Sequence, residues 1–172
     1  KKLLIISLVL FVAIGSLVLW INSKIFKASE PVGEIGVVVT DKNKVDIEVV
    51  ASDLVIPWEI AFLPTGEMLI TQRSGSLVII DKDKNIIPVD GVEHAGEGGL
   101  QGLALHPSFE QNNFIYLYFT TKTSNGLVNR IERYILGKNS ITDKKVIFDN
   151  IPGAKFHDGG RIKFGPDKKL YV

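Results

Sequence analysis

The chain has 172 residues, 45% hydrophobic and 23% charged, with 20 basic and 19 acidic side chains and no cysteine. Without cysteine, disulfides, thiolate-held zinc and thiol nucleophiles are excluded. The near-neutral balance hides an asymmetry: residues 1–27 carry four lysines and no acid, so the remainder holds 16 basic and 19 acidic groups, net −3, and offers no basic surface for nucleic acid.

The run from Leu3 to Ile21 holds no charged residue. At about 1.5 Å per residue it is long enough to cross about 30 Å of hydrocarbon. Residues 1–27 therefore read as an N-terminal transmembrane anchor. A cleaved secretion signal is the alternative, disfavoured by the length of the run and by the lack of a small-residue cleavage site before Ala28-Ser29. Lys1 and Lys2 are balanced by Lys24 and Lys27, so flanking charge says little about orientation. A short stub ahead of a large polar domain nevertheless predicts a membrane-anchored, extracytoplasmic protein. Residues 28–43, interrupted by Pro31, Gly33 and Gly36, read as a tether.

From residue 44 to 172 the pattern is all-β. Short runs rich in Val, Ile, Leu, Phe and Tyr recur between turn clusters: Val45–Val50, Trp58–Leu63, Glu67–Thr71, Ser76–Asp81, Phe114–Lys122, Val128–Leu136, Lys144–Phe148 and Arg161–Phe164. Their length and β-branched content predict strands, and no long window keeps a helical period.

One phrase repeats. Phe62-Leu63-Pro64-Thr65-Gly66-Glu67-Met68-Leu69-Ile70 matches Phe164-Gly165-Pro166-Asp167-Lys168-Lys169-Leu170-Tyr171-Val172, with a looser copy running from Leu105-His106-Pro107 to Ile115-Tyr116-Leu117. Each sets a proline in a turn ahead of an apolar strand. The proline spacings of 43 and 59 residues suit four-stranded propeller blades of about 40–50 residues with insertions, rather than a sandwich. Two to three blades are predicted where a closed ring needs about four to eight. That shortfall, the absence of an initial Met and the apolar end at Leu170-Tyr171-Val172 lead us to expect a fragment of a longer protein.

Two glycine-rich clusters hold the residues able to do chemistry. The first, Gly96-Glu97-Gly98-Gly99-Leu100-Gln101-Gly102, permits close backbone approach and presents Glu97; a solvent-facing turn is the plainer reading. The second, Phe156-His157-Asp158-Gly159-Gly160-Arg161, presents an imidazole beside two glycines, able to act as a base near neutral pH. His94, in a polar loop, and His106, before a turn proline, read as structural.

Three segments in order, Val55 to Pro64, Gly96 to Phe109 and His157 to Pro166, resemble the beginning of the glucose/sorbosone dehydrogenase family, the aldose sugar dehydrogenase-like quinoproteins. The resemblance covers about residues 50–172. It implies a six-bladed propeller in which pyrroloquinoline quinone (PQQ) lies over the central channel with calcium. It implies oxidation of a sugar, with hydride passing to the quinone and electrons from the reduced cofactor passing to an external acceptor. By resemblance His157 is the catalytic base, Glu97 contacts the substrate and Arg161 supports the site. The cofactor clamp and calcium ligands are expected beyond residue 172, with no metal ligand within this chain.

Two departures stand out. Gln72 occupies a place where many members carry Glu, and Phe156 replaces an Asp that binds the sugar in some glucose-oxidising members. Phe accepts no hydrogen bond, so glucose specificity is not carried over. The alternative function is a non-catalytic surface propeller that binds a protein or glycan. A lactonase-type hydrolase would need several oxygen ligands on the axis, for which only Glu59 and Glu97 stand ready.

Overall fold

The computed structural model describes residues 47–172; the anchor read at 1–27 and the tether at 28–43 lie outside the described residues. Among the described residues no helix is long and apolar enough to cross a membrane. From Val49 to Val172 the chain forms one unit. Its first sheet contains β1 (Pro57–Phe62), β2 (Met68–Gln72), β3 (Ser76–Ile80) and β4 (Lys84–Pro88). The second contains β5 (Leu100–Leu105), β6 (Phe114–Thr123), β7 (Gly126–Leu136) and β8 (Ile141–Pro152). A single helical turn, α1 (Phe109–Asn112), joins β5 to β6, and a short hairpin, β9 (Lys163–Phe164) with β10 (Leu170–Tyr171), follows.

Both four-stranded sheets are antiparallel meanders in chain order. Their first strands are neighbours: β1 lies beside β5, and β5 beside β9. Successive meanders stacked by their first strands have the arrangement of propeller blades.

The strand period of two explains the seam between the blades. Leu69, Leu77 and Ile87 project from one face of the first sheet and pack with Val89 against Leu100, Leu103, Ile115, Leu117, Phe119, Tyr134 and Leu136 of the second. Each such side chain contributes about 1.5–3 kcal/mol on burial. One ionic cluster sits in this seam. Glu132 is buried, 3.3 Å from Arg130, and accepts a short hydrogen bond from the Tyr134 hydroxyl. Arg130 in turn holds Asp149 at 2.8 Å. Burial, and then the bond to Glu132 and its charge, push the Tyr134 phenol well above its usual value.

The three repeated phrases are the first hairpins of successive blades. In the first copy Leu63 N–H donates to Glu67 O and Gly66 N–H to Leu63 O; in the last, Gly165 N–H donates to Lys169 O and Lys168 N–H to Gly165 O. Gly66 and Lys168 hold the same left-handed place, at φ 103° and 61°. The middle copy closes with Phe109 N–H on His106 O and inserts α1 before β6, which is why its phrase looks looser.

The structure corrects the strand pattern in four places. Residues 47–50, within the run read as a strand from Val45 to Val50, form no strand and are exposed. Beyond them Ala51 and Leu54 pack on Ile70, Val78 and Ile80, covering part of the second face of the first sheet. β4 was not anticipated because its sequence, Lys84 to Pro88, is half polar at the outer edge of its sheet. β5 was hidden by glycines that read as a loop, although Leu100 to Ala104 is buried throughout. β8 runs well past Lys144–Phe148 at both ends, its polar residues tolerated because it too is an outer strand.

Candidate functional site

Because β1, β5 and β9 run in the same sense, the segments that enter them lie at one end of the sheets. These are residues 51–56, 89–99 and 153–162, joined there by the turn 73–75 between β2 and β3. Both glycine-rich clusters are in these segments. A cleft of about 830 Å³ opens at the opposite end, lined by Leu63, Asp81, Asn85, Phe109 and Lys138 among others, and contains none of the predicted site residues.

Glu97 and His157, 60 residues apart, meet. The His157 main-chain N–H donates to Glu97 Oε2 at 2.8 Å, and the Glu97 N–H donates to Lys155 O at 2.9 Å. His157 is left-handed at φ 65°, a conformation that costs a non-glycine residue about 1–3 kcal/mol unless its surroundings dictate it. Here they do so from both sides. Glu97 takes the amide, and the next residue, Asp158, is buried with Oδ1 accepting from Asn129 Nδ2 at 3.1 Å and Ala154 N–H at 3.0 Å. The Asp158 carbonyl accepts from the Tyr118 hydroxyl at 2.8 Å. Burial raises the Tyr118 phenol above its usual value, the Asp158 charge adding to it and the Asn129 hydrogen bond opposing it. The His157 imidazole itself is exposed and makes no hydrogen bond among the described residues.

Arg161 stands apart from this pair of loops. Its guanidinium forms an ion pair with Glu59 of β1 and lies 4.4 Å over the Trp58 ring. Glu59 is itself fixed, its N–H donating to Thr71 Oγ1 at 3.1 Å, while the Thr71 hydroxyl donates to Gln101 O at 2.7 Å. Arg161 thus links the last described blade to the first across the inner strands. Phe156 is exposed, with the Lys155 ammonium 5.9 Å from its ring. His106 is structural: Nδ1 accepts from Ser108 N–H at 3.0 Å and its ring stacks on Tyr116, with Phe114 and Phe164 edge-on. His94 is exposed.

Besides Asp158, sequence reasoning missed three further residues. Arg73, in the turn after β2, donates through Nη2 to Gly96 O and, at 3.0 Å, to Gly98 O. Gln101 is buried on β5, donates to Glu97 O at 3.3 Å and leaves Oε1 without a partner. Asn129 ties Thr120 Oγ1 at 2.7 Å to Asp158. Gln101 lay inside the glycine-rich cluster but on a strand those glycines concealed, Asn129 lay within a predicted strand beside Arg130, and Arg73 offered no signal of its own. Gln72, one of the family departures, is accounted for locally: it is buried, its Oε1 accepting from Val55 N–H and its Nε2 donating to Ser76 Oγ at 2.8 Å.

Among the described residues no three His, Asp or Glu side chains group as a metal cage. The set at the loop end is instead one exposed imidazole on a braced backbone, a carboxylate against that backbone and an arginine paired to the first blade.

The family model for Glucose / Sorbosone dehydrogenase matches residues 54–172. Quinoprotein glucose dehydrogenase B of Acinetobacter calcoaceticus is 30% identical over 73% of this chain and 30% of its own length. Aldose sugar dehydrogenase YliI of Escherichia coli is 32% identical over 74% of this chain and 37% of its own. The PQQ-bound form of the aldose sugar dehydrogenase from Streptomyces coelicolor superimposes with a TM-score of 0.67 at 35% identity, covering 72% of this chain and 39% of that one. The chain thus spans less than two fifths of the length of these relatives. With a match over most of its length, the chain belongs to the glucose/sorbosone dehydrogenase family.

Proposed function

We propose that the protein carrying this chain oxidises aldose sugars or related alcohols with PQQ, and that His157 is the general base. The observation that supports this reading is the loop end itself, where an exposed, unbonded imidazole is held on a left-handed backbone by Glu97 and Asp158. When bound, PQQ supplies a carbonyl that accepts hydride from the sugar carbon. His157 takes the hydroxyl proton onto a ring nitrogen as that hydride leaves, so the alcohol becomes a carbonyl with the proton held on the imidazole. Glu97 Oε1, left open while Oε2 holds the His157 amide, accepts a hydrogen bond from a sugar hydroxyl. Arg161 braces the entry to β9 through Glu59.

The described residues support the base's share of such a site. We assign the cofactor clamp and the calcium ligands to residues outside this chain, in a six-bladed ring. Ile60, Phe62 and Ile86 support the ring: they are exposed on the face of the first sheet turned away from the second, the face a neighbouring blade covers. Phe156 leaves the substrate as a sugar not bound through an Asp at that place. The uncharged run from Leu3 to Ile21 supports a membrane anchor; an extracytoplasmic domain and an external electron acceptor complete the proposal.

The test uses the full-length protein reconstituted with PQQ and calcium, with sugar-dependent dye reduction as readout. His157→Ala is expected to lower kcat by about 10²–10⁴. Full activity in that variant overturns the assignment of the base. No sugar-dependent reduction by the reconstituted wild type favours the non-catalytic binding reading.

A further inference from the structure

We propose that Arg73 is a positioning residue for His157, acting across three segments without touching the imidazole. The proposal rests on reading His157 as the base, but its structural half can be measured without that reaction.

The guanidinium of Arg73 reaches out of the β2–β3 turn and gives Nη2 to two carbonyls, Gly96 O and Gly98 O. These carbonyls flank Glu97. The Arg73 main-chain O accepts the Leu100 N–H at 3.1 Å, so a single residue pins the Gly96–Leu100 segment at both ends. On its other side the same segment meets the His157 loop through two bonds, Glu97 N–H to Lys155 O and His157 N–H to Glu97 Oε2. The order of contacts is therefore Arg73, the Gly96 and Gly98 carbonyls, the Glu97 carboxylate, the His157 amide.

Two features argue that this arrangement is more than packing. First, the glycines are where the approach demands them. A Cβ on Gly99, at φ 135°, would stand 2.2 Å from Arg73 O, and one on Gly96, at φ 60°, would stand 2.0 Å from Lys155 O. Any larger residue would push the segment off Arg73 or off the His157 loop. Second, Arg73 has no carboxylate partner among the described residues, and its Nε is buried without a partner. An arginine makes its strongest hydrogen bonds to a carboxylate. This one gives a single nitrogen, Nη2, to both carbonyls that set the direction of Glu97. A lysine ammonium also has more than one N–H to give, but on a flexible stem rather than a planar group, so it is expected to replace arginine only in part.

Misplacing a catalytic group by about 1 Å can cost on the order of 100-fold in rate. In the full-length reconstituted protein, Arg73→Ala is expected to lower kcat by about 10- to 100-fold while KM changes little, with Arg73→Lys recovering part of the loss. The second readout needs neither cofactor nor sugar. In cofactor-free full-length protein the His157 amide should be protected from hydrogen exchange. Protection should fall in Arg73→Ala and in Glu97→Ala, and persist in Glu97→Gln, whose amide oxygen can still accept the bond.

Unchanged His157 protection in Arg73→Ala overturns the proposal, as does a fall in melting temperature with kcat intact. Should Arg73→Ala fail to fold, Arg73→Met, which keeps much of the length and removes the donors, carries the same two readouts, and wild-type values in both overturn the proposal. If His157→Ala retained activity, the base assignment would fail by itself, and the amide measurement would still decide whether Arg73 sets the His157 loop.

Discussion

The seam between the two blades and the loop end beside it are built on opposite plans. The seam is held by side chains: Leu69, Leu77, Leu100, Ile115, Leu117 and Phe119 are almost wholly buried against one another, and none of them has a left-handed backbone. The loop end is held by main-chain groups. Carbonyls of Gly96, Gly98 and Lys155, amides of Glu97, Ala154 and His157, and left-handed residues at 96, 99, 157, 159 and 160 make its contacts. Close side-chain packing resists changes of volume, whereas a main-chain hydrogen bond fixes a direction. The rigid seam thus serves as the platform, and the backbone clamp aims the imidazole.

The largest expected effect breaks the platform. Phe119→Ala removes a fully buried ring from the middle of β6 and should destabilise the protein by about 3–5 kcal/mol, read as a fall in denaturant midpoint. A loss below about 1 kcal/mol would mean that the seam repacks freely and is not the platform described. Gly99→Ala strikes the other region. It forces a side chain to φ 135° and against Arg73 O, and should cost about 1–3 kcal/mol. Its distinguishing mark is a larger loss of activity than of stability, because the strain falls on the segment that carries Glu97. A Gly99→Ala protein with reduced stability and intact kcat would remove the distinction between platform and clamp.

The same contrast governs what the sequence discloses. Seam residues are legible because strand alternation and apolar runs are local: Glu67–Thr71, Ser76–Asp81 and Phe114–Lys122 each fall within a residue or two of β2, β3 and β6. The repeated proline phrase is also local, and its three copies close with matching turn hydrogen bonds. At the loop end the glycines, Glu97 and His157 could be singled out, but not the bond between them, since nothing near position 97 encodes a partner 60 residues away. Arg161 is found with Glu59 and Trp58 for a similar long-range reason. Arg73 was given no role. In the sequence it follows the Gln72 departure and precedes an ordinary Ser-Gly turn, and only the fold brings it to the Gly96 and Gly98 carbonyls.

Two buried tyrosines supply the finest probe of the comparison, one in each region. Tyr134 lies in the seam against Glu132, and Tyr118 lies beneath the loop end with its hydroxyl on Asp158 O. Both phenols are raised, Tyr134 the further, by burial first and then by the neighbouring carboxylate. Below about pH 10 each phenol is neutral in the folded and the unfolded chain, and its contribution to folding is complete. As pH rises further the unfolded chain releases the proton while the folded one retains it. Stability should therefore fall by up to about 1.4 kcal/mol per pH unit per tyrosine until the folded phenol ionises too. Tyr134→Phe should cost about 1 kcal/mol at neutral pH, by taking a donor from Glu132, and should flatten the decline of the denaturant midpoint above pH 10. Tyr118→Phe should flatten it over a narrower range, because its phenol is raised less, and should also increase exchange of amides in residues 157–160. If Tyr134→Phe keeps the full alkaline slope, the seam phenol is not the group losing its proton. If Tyr118→Phe leaves loop exchange untouched, then Asp158 is held by Asn129 and Ala154 alone, and the clamp is independent of the sheet below it.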